Sequence, residues 1–139
     1  MSMGFLEKKY GDDYESMLRD FIPYLEQTAE EEWCVDVVRT EDGKANCLFG
    51  HLSNFCCHSK NDDVMPDFDW FESRISTTFM VYAVNDGENH DYQQPTPKQR
   101  GIAYMRDLLS GKKLTTLPLM DKCLEEYLAQ LEKAVTEVE

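Results

Sequence analysis

Thr77-Thr78-Phe79-Met80-Val81-Tyr82-Ala83-Val84 is the stretch on which the fold class turns. It is an apolar run rich in β-branched and aromatic residues, and Asn85-Asp86-Gly87 supplies turn chemistry behind it, so it reads as a strand. Upstream, Trp33-Cys34-Val35-Asp36-Val37-Val38 alternates in part and is followed by a second turn signal, Thr40-Glu41-Asp42-Gly43. Strands near 33–38 and 77–84 predict a small sheet.

Helical periodicity surrounds that sheet. Tyr14, Met17, Leu18, Phe21, Ile22 and Leu25 recur at intervals of three and four residues, with Pro23 expected to kink or end the helix. Asn46 suits the N-cap of a short helix that turns Leu48, Phe49, Leu52, Phe55 and Cys56 inward, with Gly50 a weak point inside it. Phe68, Phe71 and Ile75 predict a further turn or two. Thr96-Pro97-Lys98-Gln99 combines a cap, a first-turn proline and a capping-box glutamine. It opens a helix that buries Ile102, Met105, Leu108 and Leu109 and stops at Ser110-Gly111. A last helix from near Pro118 carries Met120, Leu124, Tyr127, Leu128, Leu131, Val135 and Val138 on one stripe. The expected fold class is α+β: one acidic globular domain over 1–139, mainly helical, whose small sheet is packed by about four to five helices.

The net charge is −13 and unevenly distributed. Residues 1–32 carry −6, 33–95 carry −7, 96–118 carry +4 and 119–139 carry −4. A field of that sign repels phosphate backbones and anionic headgroups, which argues against direct nucleic-acid or membrane binding and favours a basic protein partner. The basic segment holds Lys98, Arg100, Arg106, Lys112 and Lys113, whose simplest use is to complement the chain's own acidic faces. No apolar stretch approaches the ~20 residues of a membrane span, and no apolar signal core opens the chain, so a cytoplasmic protein is expected. The five cysteines, Cys34, Cys47, Cys56, Cys57 and Cys123, are odd in number and irregular in spacing, and read as reduced thiols.

One constellation could carry chemistry. Cys47, His51, Asn54 and His58 are offset by four, seven and eleven residues, which stacks them on one helix face beside the apolar stripe. A thiol in the first turn of a helix has its pKa lowered by the macrodipole, so Cys47 is a candidate nucleophile with His51, His58 or His90 as base and Asn85 or Asp86 as orienting group. The catalytic candidates are thus Cys47, His51 and Asp86. A metal is not expected, since His58 lies about 16 Å from Cys47 along a straight helix and no fourth ligand completes a zinc set. No cofactor is expected either, as the chain has no glycine-rich phosphate loop, dinucleotide fingerprint or serine-hydrolase elbow. Asp62, Asp63, Asp67, Asp69 and Glu72, with Trp70 and Phe71 among them, lack the register of a calcium loop and instead suit docking to a basic surface.

Trp33, the stretch Gly43-Lys44-Ala45-Asn46-Cys47-Leu48-Phe49-Gly50 and the pair Asn85-Asp86 together resemble an uncharacterised family of small bacterial and phage proteins, over roughly residues 14–110. The resemblance implies a compact α+β domain of mobile-element origin and no mechanism. Given a phage origin, a small acidic protein acting in the host cytoplasm is similar to the anti-CRISPR and DNA-mimic inhibitors that occupy the basic groove of a host nuclease. The expectation is therefore a non-enzymatic interaction protein, an inhibitor in form, that binds a basic surface of a nucleic-acid-handling protein. Two alternatives stand beside it: a thiol-dependent enzyme centred on Cys47, and a housekeeping domain whose acidity serves solubility alone.

Overall fold

A computed structural model describes residues 4–56, 64–111 and 129–130. In chain order these hold α1 (Phe5–Tyr10), α2 (Tyr14–Glu26), a 3₁₀ turn (Glu30–Glu32), α3 (Leu48–Phe55), α4 (Met65–Arg74), α5 (Thr78–Asn85) and α6 (Pro97–Leu109). Among the described residues there is no strand. Strand-type pairing among the described residues is limited to two isolated bridges, Trp33 with Asn46 and Arg39 with Asn46. The α+β expectation is corrected to a helical fold.

Both expected strands fail for physical reasons. The run at 77–84 is α5: the Thr77 hydroxyl accepts the Met80 amide as an N-cap, and Val81, Ala83, Val84 and Asn85 are buried. A short apolar run bounded by turn residues has the same signature whether it becomes a strand or a buried helix. Here packing against α3 and α6 overrides a β-propensity scale that spans only about 1 kcal/mol. The run at 33–38 cannot keep a pleat, because Asp36 takes a left-handed φ of 68° and Val35, Val37 and Val38 are all exposed.

The helical periodicity is realised more directly. In α2, Asp13 caps through the Ser16 amide, Met17, Leu18, Phe21, Ile22 and Leu25 are buried, and Pro23 lies inside the helix without ending it. In α6, Thr96 caps through the Gln99 amide with Pro97 at the first helical position. α6 packs along α2 and α5, and α3 touches α2, α5 and α6. Six consecutive residues of α3, Leu48 to Ser53, are buried, so the helix is covered on every side and occupies the centre of the core. Burying Leu48, Phe49 and Leu52 contributes about 1.5–3 kcal/mol each.

Short α1 packs on α4 and depends on it. Its N-cap, Gly4, has no side chain to satisfy the first amides, and the Asp67 carboxylate of α4 accepts the Leu6 N–H at 2.8 Å instead. A Cβ at position 4 would come within 2.5 Å of Asp67 Oδ1, so glycine is what lets that carboxylate approach. No helix among the described residues is long and apolar enough to cross a membrane. Of the last expected helix, from near Pro118 to Val138, only residues 129–130 are described, and they are helical; Cys57, His58, Lys112, Lys113 and Cys123 lie outside the described residues.

Candidate functional site

Residues 33–46 form a loop whose two ends meet. The Cys34 amide donates to the Asn46 carbonyl at 3.1 Å, the Asn46 amide to the Glu32 carbonyl at 2.8 Å, and the Cys47 amide to the Val38 carbonyl at 2.9 Å. The arrangement is that of an Ω-loop, closed at its neck and packed by its own groups. It sits on the N-terminal half of α3, where Gly50 makes room: a Cβ there would fall 2.4 Å from the Val38 carbonyl oxygen and 2.7 Å from Asn46 Cβ. The lack of a side chain at Gly50 thus lets the loop lie against the helix.

Of the expected row, His51 and Asn54 on α3 both reach toward the chain's own loop, Cys47 is the cap residue of α3, and His58 lies outside the described residues. His51 Nε2 lies 3.0 Å from the Glu32 carbonyl oxygen, and its ring stacks on Trp33 with centroids 4.2 Å apart. Asn54 Oδ1 accepts from Arg39 Nη2 at 2.8 Å, while Arg39 Nε donates to Asn46 Oδ1 at 2.6 Å. Asn46, expected to cap α3, therefore holds Arg39, and Cys47 occupies the cap position.

The electrostatics oppose thiol chemistry. Burial pushes the Cys47 thiol up to about 11, and the Phe49 and Gly50 amides pull it down only in part. The lowering expected from the helix terminus is outweighed by desolvation. Burial also pushes His51 down to about 4, so the imidazole is neutral at pH 7 and donates Nε2–H to the Glu32 carbonyl. Both groups are 1% exposed, and burial favours the thiol over the thiolate and the neutral imidazole over the imidazolium. Among the described residues no group of three or more His, Cys, Asp or Glu could hold a metal ion.

The pair Asn85-Asp86 fastens the loop to the helices. Asn85 is fully buried at the end of α5; its Oδ1 accepts the Leu48 amide at 3.0 Å and its Nδ2 donates to the Cys34 carbonyl and to Asp86 Oδ1, each at 2.9 Å. Asp86 Oδ1 also accepts the Asp36 amide at 3.2 Å. That bond anchors the one described non-glycine residue with positive φ. Behind them, buried Arg100 donates Nε to the Val84 carbonyl, Nη2 to the Asn85 carbonyl and Nη1 to the Gln94 carbonyl. Asp86, a candidate orienting group for a base, thus orients backbone.

The acidic residues expected to bind a partner are divided. Asp67 is buried and caps α1, Asp69 and Glu72 are exposed on α4, and Asp62 and Asp63 lie outside the described residues. The larger exposed acidic feature is elsewhere. Glu30, Glu31, Glu32, Asp36, Glu41 and Asp42 are all exposed along the 3₁₀ turn and the loop, together with the three valines. The far end of the loop borders an open cleft of about 600 Å³ lined by Arg39, Thr40, Glu41, Asp42, Gly43 and Asn54. A run of three glutamates followed closely by Val-Asp-Val-Val was the available sequence signal, and a strand reading conceals it by assigning alternate valines to a core. No protein-family model, curated protein or solved structure matches the chain.

Proposed function

We propose that the chain is a non-enzymatic interaction protein whose acidic surface binds a basic partner. The observation that carries this reading is the use to which the cations are put. Arg39 donates to the side-chain oxygens of Asn46 and Asn54, Lys98 to the carbonyls of Glu26 and Thr28, and Arg100 to three further carbonyls. Each closes a helix end or a loop neck with a neutral acceptor, the favourable place for a cation at a helix C-terminus in the case of Lys98 and Arg100. Ion pairs among the described residues are limited to Arg19 with Glu15, Arg74 with Asp12 and Arg106 with Glu26. Of the described cations of the basic segment, Lys98, Arg100 and Arg106, Arg106 alone pairs with a described carboxylate, and the chain's net charge of −13 makes the outward field negative.

Such a field raises the encounter rate with a positively charged protein and rejects nucleic acid. In its inhibitor form the reading has the chain occupying a groove that otherwise holds a phosphate backbone. The test is affinity capture from a lysate of the source organism at low and at moderate salt, followed by competition with DNA or RNA for the captured protein. Basic proteins that elute with salt and are displaced by nucleic acid are expected; retention insensitive to salt, or no retained protein at low salt, refutes the reading.

A further inference from the structure

We propose that the loop surface bearing Val35, Val37 and Val38 is the docking face, and that its occupant is a protein segment carrying lysine or arginine on either side of one or two aliphatic side chains. This rests on the reading of the chain as an acidic interaction protein and specifies where and what it binds. Val35, Val37 and Val38 are 39, 49 and 36% exposed, an unusual density of bare aliphatic residues for four positions of a polar loop. Acids bracket them in sequence on both sides, with Glu30, Glu31 and Glu32 before, Glu41 and Asp42 after, and Asp36 between.

Of the loop's two cations, Arg39 is turned inward onto Asn46 and Asn54 and Lys44 is exposed beside Asp42, so among the described residues the six exposed carboxylates of residues 30–42 outnumber the outward positive charge of the loop. Charge complementarity then selects the occupant. A second copy of this chain would bring the same acids against themselves, and nucleic acid or an anionic bilayer would be repelled. A cationic segment with aliphatic side chains satisfies both halves of the surface: the exposed carboxylates steer, and the exposed valines supply apolar contact.

The face is also fixed before binding. Its backbone is tied at Cys34 to Asn46 and Asn85, at Asp36 to Asp86, at Val38 to Cys47 and at Thr40 to Ala45. Little ordering entropy remains to be lost when a partner arrives.

Two synthetic peptides of equal charge test the proposal on the full chain: one alternating lysine with leucine, the other alternating lysine with serine. The wild-type chain is expected to bind the leucine peptide about tenfold more tightly than the serine peptide, the order of effect that burying a few methyl groups produces. The double variant Val35→Ser/Val37→Ser, whose folding is checked by circular dichroism, should lose that preference while binding the serine peptide as before. Equal affinity of the wild-type chain for both peptides, or a preference that survives in the variant, overturns the docking face and leaves the acidic-interaction reading standing. Absence of binding to either peptide at low salt overturns both.

Discussion

Asn85 Oδ1 receives the Leu48 amide at 3.0 Å, so the end of α5 supplies the capping oxygen that Cys47, at the cap position of α3, does not. The same side chain donates to the Cys34 carbonyl from its other end, which joins two helices and the acidic loop through a single amide group. Replacing it by alanine leaves the Leu48 amide and the Cys34 carbonyl without these partners. Asn85→Ala is expected to cost about 2–4 kcal/mol in urea unfolding. Asn85→Asp should cost more, because it keeps the acceptor but sets a second carboxylate against Asp86. A loss under about 0.5 kcal/mol for both would remove Asn85 from this role.

Gly50→Ala separates intrinsic helix propensity from packing. Propensity alone favours alanine by about 1 kcal/mol in a helix interior. The new Cβ would meet the Val38 carbonyl oxygen at 2.4 Å, a contact with backbone that cannot rotate away. The net expectation is a destabilisation of about 1–3 kcal/mol and faster hydrogen exchange at the Cys47 amide, whose bond to Val38 must loosen. An increase in thermal midpoint would show that the loop does not press on α3.

His51 gives the protein a measurable dependence on pH. Its folded pKa is lowered to about 4 from 6.5, with desolvation the main cause, so between these values the unfolded chain binds a proton that the folded chain refuses. Stability from this group is therefore present above pH 6.5 and is lost as pH falls toward 4. The loss between pH 7 and pH 5 amounts to about 2 kcal/mol. Urea midpoints for the wild type and His51→Gln across that range should converge on acidification; parallel curves would mean that the imidazole titrates normally.

Cys47 offers a direct check on chemistry. With its thiol raised to about 11 and buried, it should resist iodoacetamide at pH 8 in the folded chain, while half-buried Cys34 reacts first. Peptide mapping after timed alkylation reads both. Cys47→Ser places a preferred capping residue at the start of α3 and is expected to retain the fold. Rapid alkylation of Cys47 below pH 7 would favour the thiol-dependent enzyme over the interaction protein.

The legible parts of the fold are those where periodicity and capping chemistry agree. α2 and α6 follow from their apolar stripes, and Thr96-Pro97 marks the start of α6 to the residue. Thr77–Val84 was illegible because nearly every residue in it is apolar, which erases the difference between periods of 2.0 and 3.6. At the candidate site, helical geometry aligned Cys47, His51, Asn54 and His58, and of these the structure sets His51 and Asn54 toward the loop. Helical geometry could not say that the surface opposite them is residues 32–46 of the same chain, since that depends on long-range bonds from Asn85, Asp86 and Arg39. Asp67 was hidden likewise, because its partner, the Leu6 amide, lies 61 residues away.

That distance has a consequence for the order of events during synthesis. α1 is six residues long, too short to persist on its own, and the carboxylate that holds its first turn belongs to α4. α1 leaves the ribosome before α4 and is therefore expected to be fixed late, waiting on a residue made several seconds after it at ordinary elongation rates.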